Sequence, residues 1–330
     1  MSHWPLFNSY PVLASVLNPV PLAILPTPVQ SLSALHAKAW IKRDDLCHPE
    51  YGGNKIRKLE FVLADIRQRG AREVITLGAT GTNAGVAISM ICQQEGLPCT
   101  IITFPQPSSP TVDKNRHWMQ HYGARFDPHP TLAAAATRFY LHPRRLLPHS
   151  YFLFAGCSNP VSTFAYVNAI FELRQQIDQG ECPEPELIVV PVSSASTLAG
   201  LHLGVAWAGL KTRVLGVRVA AEKLGPFAVC TPGVVEGMTR YASRTLARHS
   251  HQALPQAGPV QLTGAYFGNG YGEGTPAAQQ AIARFAEQGI ALEATYSGKA
   301  AAAFLDLLAH TAGHVLLWDT FNSQPLPPTA

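Results

Sequence analysis

A lysine that follows two glycines and opens an amphipathic segment is the residue best placed to do chemistry in this sequence. Residues 52–61 are Gly-Gly-Asn-Lys-Ile-Arg-Lys-Leu-Glu-Phe. Apolar side chains recur at helical spacing from Leu59 to Ile66, which predicts a helix that begins near Lys55. Glycines suit a tight turn that brings the backbone close to a ligand. The pattern therefore predicts a Lys55 amine at the first turn of a helix, beside a ligand.

The chemistry open to Lys55 depends on its protonation state. The positive end of a helix dipole and the charges of Arg57 and Lys58 disfavour another ammonium, so the sequence predicts a lowered pKa for Lys55. An unprotonated amine can form a Schiff base with a carbonyl cofactor and can later act as a general base. The alternative is an ordinary solvated lysine, because most lysines are exposed.

Apolar runs alternate with helical stretches along most of the chain. Strands are predicted at 73–77, 99–104, 151–155, 187–192, 214–219 and 314–318, and helices at 83–94, 111–122, 132–141, 161–177 and 197–210. Continuous Val/Ile/Leu runs are typical of parallel strands that are buried on both faces. The sequence therefore predicts an α/β fold with mainly parallel, twisted sheets and helices on both faces.

The lysine segment resembles that of a known family when it is taken with residues 41–46, Ile-Lys-Arg-Asp-Asp-Leu. Together they resemble the pyridoxal-phosphate enzymes of the 1-aminocyclopropane-1-carboxylate deaminase and D-cysteine desulfhydrase family, which have fold type II. The resemblance runs from Leu25 to the C-terminus. It implies that Lys55 carries pyridoxal 5′-phosphate. It also implies two domains, a larger cofactor-binding one of residues 1–59 and 158–330 and a smaller inserted α/β domain of residues 60–157, with the cofactor in the cleft between them.

A glycine-rich loop at 78–85 lies between a predicted strand and a predicted helix. Its pattern could fit a dinucleotide turn, but the next strand ends without the carboxylate that a ribose requires. The resemblance instead implies that the Thr82 hydroxyl and loop N–H groups hold a substrate carboxylate and that Asn83 bonds the cofactor's 3′-oxygen. Plain helix capping by Thr82 or Asn83 is the alternative. The family has Gln-Ser-Asn-His here, so Gly81 and Ala84 leave room and remove polar contacts.

A second loop, rich in hydroxyls, follows the predicted strand 187–192. The resemblance implies that this turn holds the cofactor phosphate through Ser193, Ser194, Ala195, Ser196 and Thr197. Backbone N–H groups and hydroxyls at a helix start make a suitable anion site. Three family glycines are replaced here, by two serines and an alanine, so the turn loses freedom at positive φ. An ordinary serine-rich helix cap is the alternative.

Two tyrosines and two hydroxyl residues complete the predicted site. The resemblance implies that Tyr271 and Tyr296 face cofactor and substrate, where their hydroxyls could assist proton transfer; core tyrosines with satisfied hydroxyls are the alternative. Ser297 and Thr320 are the candidate partners of the cofactor's pyridine nitrogen. Both are neutral, which suits β-elimination because the leaving group drains the charge at Cα. Asp319 stands where the family has His, and the sequence does not explain it.

Composition bounds the other properties of the protein. The chain has 330 residues, of which 47% are hydrophobic and 14% charged, enough for a large core. No apolar run reaches the roughly 20 residues of a membrane span. The N-terminal residues lack the basic region of a secretory signal, which argues against such a signal. The net charge is +4 and the basic residues are scattered along the sequence, which argues against nucleic-acid binding. Six cysteines without Cys-x-x-Cys pairs predict reduced thiols in the cytoplasm and no metal site.

The predicted function is therefore a pyridoxal-phosphate-dependent lyase that resembles D-cysteine desulfhydrase. Lys55 would take the Cα proton of a small amino acid, a β-substituent would leave, and a 2-oxo acid and ammonia would result. We expect a homodimer. β-Replacement or racemisation, favoured by the Asn83 loop, stays open. A catalytically degraded cofactor-binding homologue also stays open, because of the altered phosphate turn, Ala84 and Asp319.

Overall fold

The computed structural model describes residues 3–224, 227–249 and 254–325. The helices are α1 (Leu6–Ser9), α2 (Val12–Leu17), α3 (Asn54–Gln68), α4 (Asn83–Gln94), α5 (Pro110–His121), α6 (Leu132–Tyr140), α7 (Thr163–Asp178), α8 (Ser196–Trp207), α9 (Pro232–His249), α10 (Pro276–Ala286) and α11 (Ser297–His310). Short 3₁₀ turns lie at Asp44–Leu46, Pro143–Leu146 and Ala155–Cys157.

The strands form two large sheets and one small hairpin. They are β1 (Val29–Ser31), β2 (Ala39–Arg43), β3 (Glu73–Ala79), β4 (Cys99–Phe104), β5 (Arg125–Pro128), β6 (Ser150–Leu153), β7 (Leu187–Val192), β8 (Arg213–Arg218), β9 (Lys223–Leu224), β10 (Phe227–Ala228), β11 (Gln261–Thr263) and β12 (Val315–Asp319). The hairpin pairs β9 with β10.

The larger sheet combines strands from both ends of the chain in the order β1-β2-β12-β7-β8-β11. All neighbours run parallel except β1, which is antiparallel to β2. Alternate residues of β7 enter different cores: Ile188 and Val190 pack with helices α7 and α8, whereas Leu187 and Val189 pack with α10 and α11. A strand that is buried on both faces needs apolar residues at every position, as β7 has.

The smaller sheet is built from a continuous stretch of chain in the order β5-β4-β3-β6, all parallel. Its two faces belong to separate clusters, one with α3, α4 and α5 and the other with α6. The predicted α/β fold with mainly parallel sheets and helices on both faces is confirmed. The division at 59/60 and 157/158 stays a prediction; the sheet topology supports an inserted domain, although residue 59 lies inside α3.

The parallel arrangement brings three loops of the larger sheet to one edge. Strands β2, β12 and β7 are neighbours, and their carboxyl ends are at Arg43, Asp319 and Val192. The segments 44–54, 320–322 and 193–197 therefore leave the sheet side by side. Ligands of open α/β sheets bind at this edge, so the fold itself places the predicted lysine turn next to the predicted phosphate turn.

A buried ionic cluster fixes helix α3 to this edge. The Arg57 guanidinium donates to Asp44 at 2.9 Å and to both oxygens of Glu172 at 2.9 and 3.0 Å. The Lys42 ammonium lies 2.6 Å from Glu172. Tyr166 and Trp318 donate to the other oxygen of Asp44, each at 2.7 Å. Burial alone would raise the pKa of Glu172, but the charges of Arg57 and Lys42 outweigh it and lower the pKa to about 2.

We predict that Arg57→Met destabilises the fold strongly. The variant leaves Asp44 and Glu172 short of a cation inside the protein, which costs about 3–5 kcal/mol. Arg67→Met is the matched control, since Arg67 lies on the same helix in a half-exposed pair with Glu95 and should cost at most about 1 kcal/mol. The measurement is urea denaturation of both variants. Equal midpoints for the two would contradict the prediction.

Candidate active site

The glycine turn before α3 packs tightly against the end of β12. A Cβ on Gly52 would lie 1.8 Å from the Asp45 carbonyl oxygen, and one on Gly53 would lie 2.7 Å from that of Thr320. Gly53 also has φ +92°, which disfavours any residue with a side chain. The N–H group of Asn54 donates to the Thr320 carbonyl at 3.2 Å. Both glycines are therefore required to start α3 at this place.

The Lys55 amine is linked to the hydroxyl-rich turn through one side chain. Lys55 itself is half-buried, and its Nζ donates to Asn54 Oδ1 at 2.5 Å. Asn54 Nδ2 in turn donates to Thr197 Oγ1 at 3.0 Å. The structure thus brings the predicted lysine and the predicted phosphate turn together, with Asn54 between them.

The pKa of Lys55 is lowered mainly because the side chain is removed from water. The direction agrees with the sequence-based prediction, but the cause differs, because Arg57 points into the ionic cluster and its charge is neutralised there. Lys58 is buried too and donates to the Gly156 carbonyl at 3.2 Å. Burial, followed by the charge of Lys55, lowers the pKa of Lys58 well below its ordinary value. The nearby Glu293 carboxylate acts in the other direction on Lys55.

The hydroxyl-rich turn adopts a strained shape without a glycine. Ala195 has φ +66°, a region that residues with a side chain rarely adopt. Ser158 ties the turn together: its hydroxyl donates to Ser194 Oγ at 2.7 Å and lies 2.7 Å from Ser196 Oγ. Since Ser158 has only one proton to give, Ser196 is the donor of the second bond.

The turn keeps several donors for an anion. The Ser194 hydroxyl accepts from Ser158, and the Thr197 hydroxyl accepts from Asn54, so each retains its own proton. Ser193 is half-buried beside them. The first N–H groups of α8 have no partner within the helix, and the positive end of the helix dipole is located there. This set of donors suits a phosphate group.

Asn83 is held with its amide nitrogen free to donate. Asn115 Nδ2 donates to the Gly81 carbonyl at 2.9 Å and to Asn83 Oδ1 at 2.6 Å, and the Tyr51 hydroxyl also donates to Asn83 Oδ1, at 3.2 Å. A carbonyl only accepts, so these bonds fix which end of each amide is oxygen. Thr82 caps α4, with its hydroxyl accepting from the Gly85 N–H at 3.3 Å. Thr82 can still donate its proton.

Position 81 must be glycine in this structure. A Cβ there would lie 2.6 Å from Val112 Cα at the start of α5. The N–H group of Gly81 donates to Gln106 Oε1 at 3.3 Å. The sequence suggested that Gly81 leaves room in the loop, and this is wrong, because α5 occupies that space.

Tyr271, Tyr296 and Glu293 line a small cleft beside Asn83. The two tyrosine hydroxyls are hydrogen-bonded to each other, and their rings pack edge to face with centroids 5.9 Å apart. Burial raises the pKa of Tyr271 to about 12 and that of Tyr296 well above its ordinary value. The Glu293 carboxylate accepts from the N–H groups of residues 295–297, at 2.6 to 3.0 Å. Sequence reasoning missed Glu293, although a carboxylate just before a helix is a typical cap.

The structure separates the two candidate hydroxyls for a pyridine nitrogen. Ser297 Oγ accepts from the Glu293 N–H at 2.9 Å and donates to the Glu293 carbonyl at 3.4 Å, so it serves the start of α11. Thr320 follows β12 beside Gly53, and its hydroxyl has no hydrogen-bond partner in residues 3–224, 227–249 and 254–325. Because its hydroxyl is free, Thr320 is the better candidate for the partner of a pyridine nitrogen.

Asp319 is a buried acid at the end of β12. Its Oδ1 accepts from the Phe321 N–H at 3.0 Å, while Oδ2 is buried and has no partner in the part of the chain that the structure describes. Burial, and then the charge of Asp45, raises the pKa of Asp319 well above its ordinary value. Burial therefore favours the neutral form of the Asp319 carboxyl, the form that adds no charge to the site.

Two further properties apply to the residues that the structure describes. None of their helices is both long enough and apolar enough to traverse a bilayer. They contain no group of three or more His, Cys, Asp or Glu side chains that could hold a metal ion. All six cysteines lie in the described residues, and each is a buried free thiol.

The edge of the larger, mainly parallel sheet brings Lys55, whose pKa is lowered by burial, next to a helix start with free hydroxyl and N–H donors, as suits a cofactor enzyme of the α/β class. The model of the family described as pyridoxal-phosphate dependent enzyme matches residues 20–318, and the chain belongs to this family. Its cofactor is accordingly pyridoxal phosphate, as the lysine motif predicted.

The comparisons also include named relatives. D-cysteine desulfhydrase of Salmonella choleraesuis (strain SC-B67) is 29% identical over 310 residues, covering 90% of this chain and 88% of the relative. D-cysteine desulfhydrase of Serratia proteamaculans (strain 568) is 29% identical over 299 residues, covering 86% of each chain. The resemblance that the motifs indicated is thereby confirmed.

Solved structures confirm the fold. A structure described as an ACC deaminase homologue superposes with a TM-score of 0.81 at 24% identity, covering 98% of this chain and 96% of the other. Threonine deaminase isoform 2 of Solanum lycopersicum has a TM-score of 0.66 at 13% identity, covering 96% and 90%. The architecture is that of fold type II pyridoxal-phosphate enzymes.

We predict that covalent attachment of pyridoxal phosphate to Lys55 rises with pH through a midpoint below 10.5, the ordinary pKa of lysine. Burial lowers this pKa, and the unprotonated amine is the reactive form. Glu293→Gln removes a negative charge that favours the ammonium, so its midpoint should be lower still. Borohydride trapping at a series of pH values, followed by mass spectrometry, gives the midpoints. The control is Glu287→Gln, an exposed acid; a higher midpoint for Glu293→Gln than for this control would contradict the prediction.

Proposed function

We propose that this protein is a pyridoxal-phosphate-dependent lyase that removes a β-substituent and the amino group from a small amino acid, with D-cysteine as the first candidate. The products are then a 2-oxo acid, ammonia and, from cysteine, hydrogen sulfide. One observation carries the proposal: the desolvated Lys55 amine is joined through Asn54 to Thr197 of an anion-binding turn. A carbonyl cofactor with a phosphate tail requires this combination.

The side chains at the site fit the cofactor part by part. Lys55 would hold its carbonyl carbon. Ser193, Ser194, Ala195, Ser196 and Thr197 would hold its phosphate through hydroxyl and N–H donors. The free amide nitrogen of Asn83 would donate to its 3′-oxygen, and the free hydroxyl of Thr320 would contact its pyridine nitrogen.

The protein's own groups then divide the proton chemistry. When bound, pyridoxal phosphate supplies an electron sink for negative charge at the substrate Cα. The Lys55 amine, whose pKa is lowered by burial, is the base for the proton on Cα. Tyr271 and Tyr296 keep their protons at neutral pH because their pKa values are raised. They therefore act as hydrogen-bond donors that orient the substrate, not as bases.

The choice of substrate rests on the relatives. The Salmonella and Serratia proteins are named D-cysteine desulfhydrases, which supports a thiol leaving group and the D configuration. A cytoplasmic location is part of the proposal and is supported by the six buried free thiols. A homodimer is proposed as well, and sedimentation of the purified protein tests it.

We predict that Lys55→Ala abolishes the visible absorbance of the loaded protein and lowers the release of 2-oxo acid by a factor of roughly 10²–10⁴ or more, the usual contribution of a general base. Lys55→Arg is the matched variant, because it keeps a long basic side chain but cannot form a Schiff base with the carbonyl. Both variants should fail in the same way. Full activity in either one would remove Lys55 from the mechanism.

Product assays with the unmodified protein distinguish the remaining alternative reactions. Release of ammonia and 2-oxo acid from D- or L-amino acids supports elimination. Formation of cysteine from sulfide and an activated serine, without 2-oxo acid, would indicate β-replacement instead of elimination. Loss of optical activity alone would indicate racemisation. A visible band with no turnover of any amino acid would identify a binding homologue that has lost catalysis.

We predict different effects for the two neutral hydroxyls. Thr320→Val should shift the visible band and lower kcat roughly 2- to 10-fold, as expected for one lost hydrogen bond. Ser297→Ala should leave the band in place but cost about 1 kcal/mol of stability, because it removes the hydrogen bonds between this hydroxyl and the Glu293 backbone. Absorbance spectra and thermal melts of the two variants test this. A band shift in Ser297→Ala alone would reverse the assignment.

A further inference from the structure

The cleft beside Asn83 has no cation to receive a substrate carboxylate. Its lining residues are Gly81, Asn83, Gln106, Ser109, Thr111, Val112, Tyr271, Glu293, Thr295 and Tyr296. None of these residues is a lysine or an arginine. An amino acid that enters the cleft must therefore have its carboxylate recognised by neutral donors.

Glu293, the one acidic residue of this lining, cannot serve as such a donor. Its carboxylate oxygens accept three backbone N–H groups at the start of α11. It carries only acceptors when it is ionised, and its charge repels another carboxylate. The substrate carboxylate must therefore be received by neutral donors of the lining, which include the carboxamides of Asn83 and Gln106.

Gln106 presents a carboxamide with its donor end unused. Its Oε1 accepts from the Gly81 N–H at 3.3 Å, which fixes the carboxamide by its acceptor end. Its Nε2 carries two N–H groups, and these have no hydrogen-bond partner in the described residues of the chain. The side chain is half-buried and lines the cleft. Gly81 itself can contribute no side chain, because α5 fills that space.

We propose that Gln106 is the specificity residue that recognises the α-carboxylate of the substrate through Nε2. This deepens the proposed function and rests on it. The bond between Gly81 and Gln106 Oε1 orients the carboxamide, and the free N–H groups of Nε2 add two donors to a lining whose other side-chain donors are hydroxyls and the Asn83 amide. The hydroxyls of Tyr271 and Tyr296 are bonded to each other, and Ser109 caps α5. The Thr82 hydroxyl caps α4 outside this lining and keeps one proton to donate.

The test compares two isosteric variants of the loaded protein. Gln106→Glu keeps an oxygen for the Gly81 N–H but replaces the donor by a second, charged acceptor. It should weaken binding of alanine, which has no β-leaving group, roughly ten- to hundredfold, as expected for a lost bond to a charged group. Gln120→Glu, an exposed position on α5, makes the same charge change away from the cleft and should bind alanine like the parent. Dissociation constants come from the change in visible absorbance.

A second ligand separates recognition from a merely structural role. Ethylamine is alanine without its carboxylate, and Gln106→Glu should bind it as tightly as the parent does. Equal weakening of alanine and ethylamine, unchanged alanine binding, or loss of the visible band in Gln106→Glu alone would each overturn the proposal for Gln106. Absence of the band in the parent would overturn the proposed function, and this inference with it.

Discussion

The position of Lys55 depends on the buried contact between Arg57 and the carboxylates of Asp44 and Glu172. This contact joins helix α3 to the turn after β2 and to helix α7. Two buried cations face two buried anions, and hydroxyl and indole donors satisfy the remaining oxygen of Asp44. Charges in a protein interior are tolerated only when they are paired and hydrogen-bonded in this way. The contact therefore holds α3 in a single orientation.

That orientation also explains why the pKa of Lys55 is lowered by burial and not by its charged neighbours. Successive helical residues are about 100° apart, so Arg57 lies about 200° around α3 from Lys55, whereas Lys58 shares its face. Arg57 thus points into the core, where its charge is neutralised, and Lys58 is buried beside Lys55 with its own pKa lowered. Desolvation acts on both amines, and neither has to be charged for the helix to form.

The sequence predicted the parts of this protein whose signals are local. The segments 83–94, 99–104 and 187–192 have the predicted bounds, because strands buried on both faces and short caps leave clear patterns. Helices α9, α10 and α11 were not predicted. Lys55 and the 193–197 turn could be singled out because a motif carries them. Asn54, Ser158, Gln106 and Glu293 could not, since their roles come from contacts between residues that are distant in sequence. The crowding at Gly81 depends on α5, which no local pattern places there.

The altered loops contain neutral residues at the positions where they depart from the family, except for Asp319. The 193–197 turn keeps its shape with Ala195 at positive φ because Ser158 bonds to the residues on both sides of it. Burial raises the pKa of Asp319 well above its ordinary value, which favours the uncharged acid near the sheet edge. The cleft then contains one carboxylate, which is saturated by backbone N–H groups. The described lining of the cleft contains no lysine or arginine that could stabilise a long-lived anion. The negative charge that develops at the substrate Cα must therefore be relieved through the geometry of the site and the departure of the leaving group. A substrate with a good β-leaving group is the kind that this environment favours.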